Sequence, residues 1–270
     1  MFKRLFLTLS LIPGLAAAQD LQSHCIALVE NEFSDIRFAS FGADLSREQV
    51  RISYVDHSMF LIETPEGIGI ATDFNGFVGV DVVPDVVTMN NAHSTHWTPT
   101  PDPRIPHVLR GWGDENGPAA HRLTLEDEIL IRNVTTDIRS GFSGVVPDGN
   151  SIFIFEVAGL CIGHLGHLHH EPSEAQYAAI GRLDVVMAAV DGGMTVDIGT
   201  MSRIVSRLRS SVVLPMHWFG RSTLERFLAE MSDEFEIELV EGNSTTLSLR
   251  DLPRSPTIRV LTPAYFEARN

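Results

Sequence analysis

Four of the chain's eleven histidines fall in one stretch, Cys161-Ile162-Gly163-His164-Leu165-Gly166-His167-Leu168-His169-His170. A neutral imidazole nitrogen is the commonest protein ligand for a transition metal. Two other groups carry the same chemistry: Asn91-Ala92-His93-Ser94-Thr95-His96 upstream and Pro215-Met216-His217 downstream. Each of the three follows a short apolar run: Leu160 to Ile162, Val86 to Met89, and Val212 to Leu214. Such runs read as buried strands. Three strand ends delivering imidazoles to one edge of a sheet would make a metal site.

The elements that must position these residues are legible in outline. Ile52 to Val55, Phe60 to Glu63 and Ile68 to Thr72 read as early antiparallel strands, with a turn at Pro65-Glu66-Gly67. Asp73-Phe74-Asn75-Gly76 breaks the pattern, and Val82 to Met89 returns to a strand. Thr98 to His121, rich in Pro and Gly, reads as one long loop following the histidine cluster. Glu128 to Val134 is a strand, Thr135 to Asn150 a glycine-containing loop, and Ser151 to Val157 with Leu160 to Gly163 a hairpin. Ser173-Glu174-Ala175-Gln176 is a capping box opening a helix to about Ile180. Val185 to Val190 is a buried strand ending at Asp191-Gly192-Gly193, and Ile198, Met201, Val205 and Leu208 recur at helical spacing. Ser222 to Glu225 caps another helix, and Phe235 to Val240 with Thr245 to Leu249 close as two strands. Hairpins first and strand–helix–strand units later predict an α/β chain folded as an αββα four-layer sandwich.

The bulk properties bound the function. A formal charge of −15 argues against nucleic acid, because phosphate binding needs a basic surface. Met1 to Ala18 reads as a secretory signal peptide: Lys3 and Arg4, then an apolar run, then the small residues Ala16-Ala17-Ala18. The mature chain is then periplasmic or secreted, with no membrane attachment after cleavage. Residues 19–49 read as an N-terminal extension and 50–270 as one catalytic domain. Export leaves two readings of Cys25 and Cys161 open, a disulfide or a small buried hydrophobe at Cys161. No Cys-x-x-Cys occurs, which excludes a finger-type thiolate zinc site.

In order and spacing these pieces resemble the metallo-β-lactamase superfamily, and most of all its lactonase-like branch, which includes the ascorbate-6-phosphate lactonases. The resemblance runs from about Ile52 to Leu249. Asp56-His57-Ser58-Met59-Phe60-Leu61-Ile62 is similar to the family's opening strand and Thr72-Asp73 to the turn after it. Asn91 to His96 stands where the family carries His-x-His-x-Asp-His, and His164-Leu165-Gly166-His167 where its metal-bridging Asp closes a segment. Asp191-Gly192-Gly193 and Pro215-Met216-His217 match later landmarks. The resemblance implies two metal ions, usually zinc, and a bridging hydroxide that attacks an ester, lactone, amide or phosphoester.

The chain departs from that pattern at four places. Asn91 replaces the first His of the motif, Thr95 its Asp, and His167 the bridging Asp, while Thr135-Thr136-Asp137 stands where a third-motif His belongs. The family's ligands survive at His93, His96 and His217. Ligand chemistry then predicts that His96, His167 and His217 hold one ion, with water in the open position. His93, with Asn91, Asp137 or His164, completes a second, weaker site. The expected metal set is thus His93, His96, His164, His167 and His217, holding one or two ions. The resemblance points to zinc, although nitrogen ligands also suit copper, nickel or iron. Asp137, the carboxylate at the lost third motif, is the candidate catalytic base; an ordinary loop aspartate is the alternative. His57 reads as pocket-lining or structural, with Asp56 its orienting partner, and His169 and His170 as supporting or surface residues. The expected function is an exported metal-dependent hydrolase of a small ester, lactone or phosphoester, using a metal-bound hydroxide. Its rival is a non-catalytic metal- or ligand-binding protein with a degenerate site.

Overall fold

The computed structural model describes residues 21–26, 45–79, 82–141 and 144–264. The signal segment and most of the extension lie outside these residues. Two mixed sheets share one core. The first contains β1 (Gln49–Asp56), β2 (Met59–Glu63), β3 (Gly69–Ala71), β4 (Val86–Met89), β5 (His107–Arg110) and β13 (Ser244–Ser248), in the order β13-β1-β2-β3-β4-β5. The second contains β6 (Arg122–Leu125), β7 (Ile129–Ser140), β8 (Gly144–Val157), β9 (Leu160–His164), β10 (Val185–Ala189), β11 (Val212–Met216), β12 (Glu236–Leu239) and β14 (Thr257–Val260). Its order is β12-β14-β11-β10-β9-β8-β7-β6.

The burial of each strand follows its place. β1 alternates buried and half-buried positions along most of its length, as a strand with one covered face does. β9, β10 and β11 run parallel and are buried at every position, the signature of strands covered on both faces. Between the sheets, Ile52, Phe60 and Ile62 of the first join Phe153, Phe155 and Ile162 of the second in one buried cluster. Three helices are present among the described residues: α1 (Glu174–Ile180), α2 (Ile198–Leu208) and α3 (Arg221–Met231). α1 packs on β7, α2 on β10, and α3 on α2. Ser173 and Gln176 form the expected capping box of α1, and the Asp197 side chain accepts the Thr200 N–H at the start of α2. No helix of the described residues is long and apolar enough to cross a membrane.

The α/β two-sheet architecture agrees with the sequence expectation, while several boundaries differ. The long loop expected over 98–121 contains β5, which pairs in parallel with β4. The loop expected over 135–150 is largely hairpin, because β7 and β8 continue their antiparallel ladder past a bulge at Thr136 to Ile138. β12 and β13 do not pair. They belong to different sheets, and β14, which the sequence reading lacked, carries β12.

The described N-terminal segment is pinned to the second sheet. Cys25 is disulfide-bonded to Cys161 of β9. Beside it, Glu156 of β8 accepts from the Ser23 hydroxyl and from the backbone N–H groups of His24 and Cys25. The Arg132 guanidinium completes this buried carboxylate's shell. A bond spanning 136 residues restricts the unfolded chain strongly. Cys161→Ser or reduction should therefore cost about 2–4 kcal/mol of stability. Urea unfolding followed by two independent probes measures this, and an unchanged midpoint on reduction would refute it.

Candidate metal centre

The candidate ligands leave the C-terminal ends of their strands. His57 follows β1, Asn91 to His96 follow β4, His164 ends β9, Asp191 stands just past β10, and His217 follows β11. The parallel strands β9, β10 and β11 bring three of these ends to one edge, where open α/β sheets place their sites. The backbone then makes tight turns. His57, Asp73 and His217 all have positive φ, at 47°, 51° and 59°. The two histidine turns are tied together, since the His217 N–H donates to the carbonyl of His57, which also accepts from the Tyr54 hydroxyl.

Three imidazoles converge. One ligand nitrogen from each of His57, His96 and His217 lies within 4.8 Å of the others. The Nε2 atoms of His96 and His217 stand 3.2 Å apart, and the His57 and His217 ring centroids 4.0 Å apart. His57 Nε2 is buried and has no hydrogen-bond partner.

Two buried carboxylates set the direction of these rings. Asp73 Oδ2 accepts from His96 Nδ1, which also lies 3.1 Å from the Ser58 hydroxyl. Asp191 Oδ2 lies 3.0 Å from His217 Nδ1, off the line of a hydrogen bond. An ionised carboxylate only accepts, so each favours a proton on the Nδ1 it faces and leaves Nε2 as the ligating atom of the ring. Burial by itself raises the Asp73 carboxyl, but the contacts with His96 outweigh it and hold the group below the usual carboxylate range. Burial likewise opposes ionisation of Asp191, and is outweighed by His217, Thr195 and the Gly193 N–H. Burial, then the neighbouring His217 and His96, push His57 down to about 3, so its ring is neutral.

These residues fit a metal ion. Two imidazole nitrogens facing each other at 3.2 Å share a proton or bind a cation between them. Nitrogens bound at about 2.0–2.1 Å to one tetrahedral ion stand about 3.3 Å apart. The orphaned Nε2 of His57 supplies a third donor, and the charges of Asp73 and Asp191 balance a divalent cation.

The expected ligand set is rearranged. His96 and His217 stand in the converging group. His57, read from sequence as pocket-lining or structural, stands there too. His164 does not: it is fully buried and both its nitrogens are occupied. Its Nε2–H donates to the Ser58 carbonyl (2.7 Å), and its Nδ1 accepts from Gly166 N–H and Asn90 Nδ2. His167 borders the group, its ring centroid 4.6 Å from that of His96 and 5.1 Å from that of His217, but its Nδ1 faces His169 Nε2 at 2.8 Å. His93 is exposed at the rim, 5.7 Å from His96 and 5.8 Å from His167 between centroids. Asp137 is exposed at the β7–β8 bulge, where it accepts the Asp148 N–H. The adjacent Thr136 is buried and accepts from Asn150, whose Oδ1 in turn accepts the His167 N–H. A polar network thus fills the lost third motif. Gly166, at φ 63°, permits this closeness, since a Cβ there would meet Asn150 Oδ1 at 2.5 Å.

Residues 51–217 match the family model described as a beta-lactamase superfamily domain. A Thermotoga maritima structure, described as a putative Zn-dependent hydrolase of the metallo-β-lactamase superfamily, superposes with a TM-score of 0.58 and 26% identity. It covers 78% of this chain and 98% of that one. A metallo hydrolase from the archaeon Ignicoccus hospitalis gives 0.54 at 19% identity, over 74% and 99% of the two chains. At that identity the likeness concerns fold alone. The comparison with curated proteins gives no match.

The geometry assigns different weights to two aspartates. Asp73→Asn should lower zinc affinity about 10–100-fold by releasing the His96 ring, whereas Asp137→Asn should leave it unchanged. Competition with a chromogenic chelator measures both, and equal effects of the two substitutions would contradict the geometry.

Proposed function

The chain belongs to the metallo-β-lactamase superfamily, and from that premise we propose that it is an exported, zinc-dependent hydrolase of a small ester, lactone or phosphoester. His57, His96 and His217 hold one ion. The observation that carries this reading is the pair of facing Nε2 atoms at 3.2 Å, each ring backed at Nδ1 by a buried carboxylate. When bound, zinc supplies Lewis acidity toward the scissile group and activates water as nucleophile.

The chain's own residues supply the rest. Asp73 and Asp191 orient the imidazoles and hold them in the ligating tautomer. Phe219, 62% exposed, lies against the rings of His57 and His217 and offers an apolar wall at the mouth. Trp97, directly after His96, packs edge-on against Trp112 and stiffens the segment that follows. The Cys25–Cys161 bond supports residence in an oxidising compartment such as the periplasm.

The rival reading, a binding protein, is separated from this one by a single preparation. Untagged full chain should carry one equivalent of zinc by elemental analysis. It should hydrolyse at least one of 4-nitrophenyl acetate, a γ-lactone and bis-4-nitrophenyl phosphate. Dipicolinate should abolish that activity and added zinc restore it. Protein that holds zinc stoichiometrically yet turns over none of these classes would favour the binder. His57→Ala, His96→Ala and His217→Ala should each lose the bound ion, and a His57→Ala protein that keeps its zinc would remove His57 from the ligand set.

A further inference from the structure

By the resemblance set out above, His167 takes the place of a metal-bridging carboxylate, and its surroundings dictate a different chemistry. The backbone N–H of Arg139 can only donate. It donates to His169 Nδ1 at 2.7 Å. That nitrogen therefore carries a lone pair, and the single proton of the neutral His169 ring sits on Nε2. His169 Nε2 faces His167 Nδ1 at 2.8 Å, so His167 Nδ1 accepts. The proton of a neutral His167 ring is then on its Nε2. One backbone amide thus sets the tautomer of two successive rings.

The relay is firmly held at its outer end. The Arg139 guanidinium donates to the carbonyls of Gly193, Met194 and Thr195. This clamps the end of β7 to the loop that begins with Asp191, the residue beside His217. At the inner end, the His167 N–H donates to Asn150 Oδ1, which fixes the ring's backbone. The two nitrogens of an imidazole point apart, so with Nδ1 turned to His169 the Nε2–H is turned from it. The rings of His93, His96 and His217 lie around His167 at 4.6–5.8 Å between centroids. No hydrogen-bond partner for His167 Nε2 occurs among the described residues.

A nitrogen that carries a proton has no lone pair for a metal. We propose that His167 is a fixed hydrogen-bond donor at the three-histidine centre, whose Nε2–H binds an oxygen of the substrate's reacting group, with His169 and Arg139 as its positioning residues. This rests on the hydrolase reading for the identity of the substrate but not for the tautomer. The arrangement suits an acyl or phosphoryl group, whose oxygen gains negative charge as it is attacked. A neutral donor aimed at that oxygen stabilises the developing charge without placing a second positive charge beside the ion. It also explains how a position that normally ligates can carry a histidine next to a complete set of three others.

The test reads the tautomer directly. Protein labelled with 15N-histidine is examined by long-range 1H–15N correlation, first metal-free and then with one equivalent of zinc. His167 should be protonated at Nε2 in both states, while the Nε2 resonances of His57, His96 and His217 shift on zinc addition. Loss of the His167 Nε2 proton on zinc addition overturns the proposal. His167→Gln, which keeps a side-chain N–H donor, and His167→Phe, which does not, should both retain one zinc; loss of zinc from both while folded by circular dichroism also overturns it. Against the best substrate, kcat should fall about 100-fold in His167→Phe and recover to within about 10-fold in His167→Gln, with KM changing less. Full kcat in His167→Phe removes the donor role. His169→Phe should lower kcat and disperse the His167 tautomer while leaving the zinc content intact. If the zinc-loaded protein turns over no substrate, the hydrolase reading fails separately, and inorganic phosphate serves as the probe. Phosphate should shift the His167 Nε2–H resonance, and an unmoved resonance overturns the proposal by itself.

Discussion

Two imidazole nitrogens held 3.2 Å apart are the constraint on which this architecture turns. Asp73 and Asp191, both buried and both held ionised, stand behind them at the Nδ1 side of His96 and His217. Burying two carboxylates in an apolar sandwich is costly unless a counter-charge is near. A divalent cation satisfies the facing nitrogens and the buried carboxylates together, so the acidic groups and the histidines form one electrostatic unit.

The fold makes that unit possible by separating two tasks. The strands β9, β10 and β11, buried throughout, supply a rigid parallel edge, and side chains emerge only where each strand ends. The chemistry then lies in the turns. His57, Asp73 and His217 each adopt a positive φ, a conformation that costs a non-glycine residue of order 1–3 kcal/mol. The surrounding hydrogen bonds over-determine it: His217 N–H to His57 carbonyl, Tyr54 hydroxyl to the same carbonyl, and Asn90 N–H to Asp73. Part of the stability of the sandwich is thereby spent on aiming three side chains.

Much of this was legible in the sequence because strand ends and apolar runs are local. The α1 capping box, the helical spacing of Ile198, Met201 and Val205, and the histidines after β4 and β11 follow from residues within a few positions of one another. His57 was harder to assign. It follows an equally clear strand, but the turn that aims its ring arises from pairing with His217, 160 positions away by number. Asp73 and Asp191 read as turn residues for the same reason, since their histidine partners come from other strands. The rank of His164 and His167 was not readable either. Both sit in one apolar stretch, and only the tertiary positions of Ser58, Asn90 and His169 show which nitrogens are already used. Asp137 is the carboxylate nearest a lost motif, but its exposed place at the β7–β8 bulge depends on register with β8.

The lost family ligands look different once the network beneath them is considered. Simple decay at Asn91, Thr136 and His167 would leave buried polar groups unpaired, at a cost of about 1–3 kcal/mol each. Instead Asn150 links Thr136 to the His167 backbone, Asn90 links Ser151 to His164, and Asn91 forms a bridge with Asn150. These contacts lead, through His167 and His169, to the Arg139 clamp. A second metal ion at this end would have to displace bonds that the chain has already made, since His164 has no free nitrogen and His167 Nδ1 is taken. His57, His96 and His217 thus converge at the strand ends, while His164 and His167 are engaged in hydrogen bonds with their neighbours.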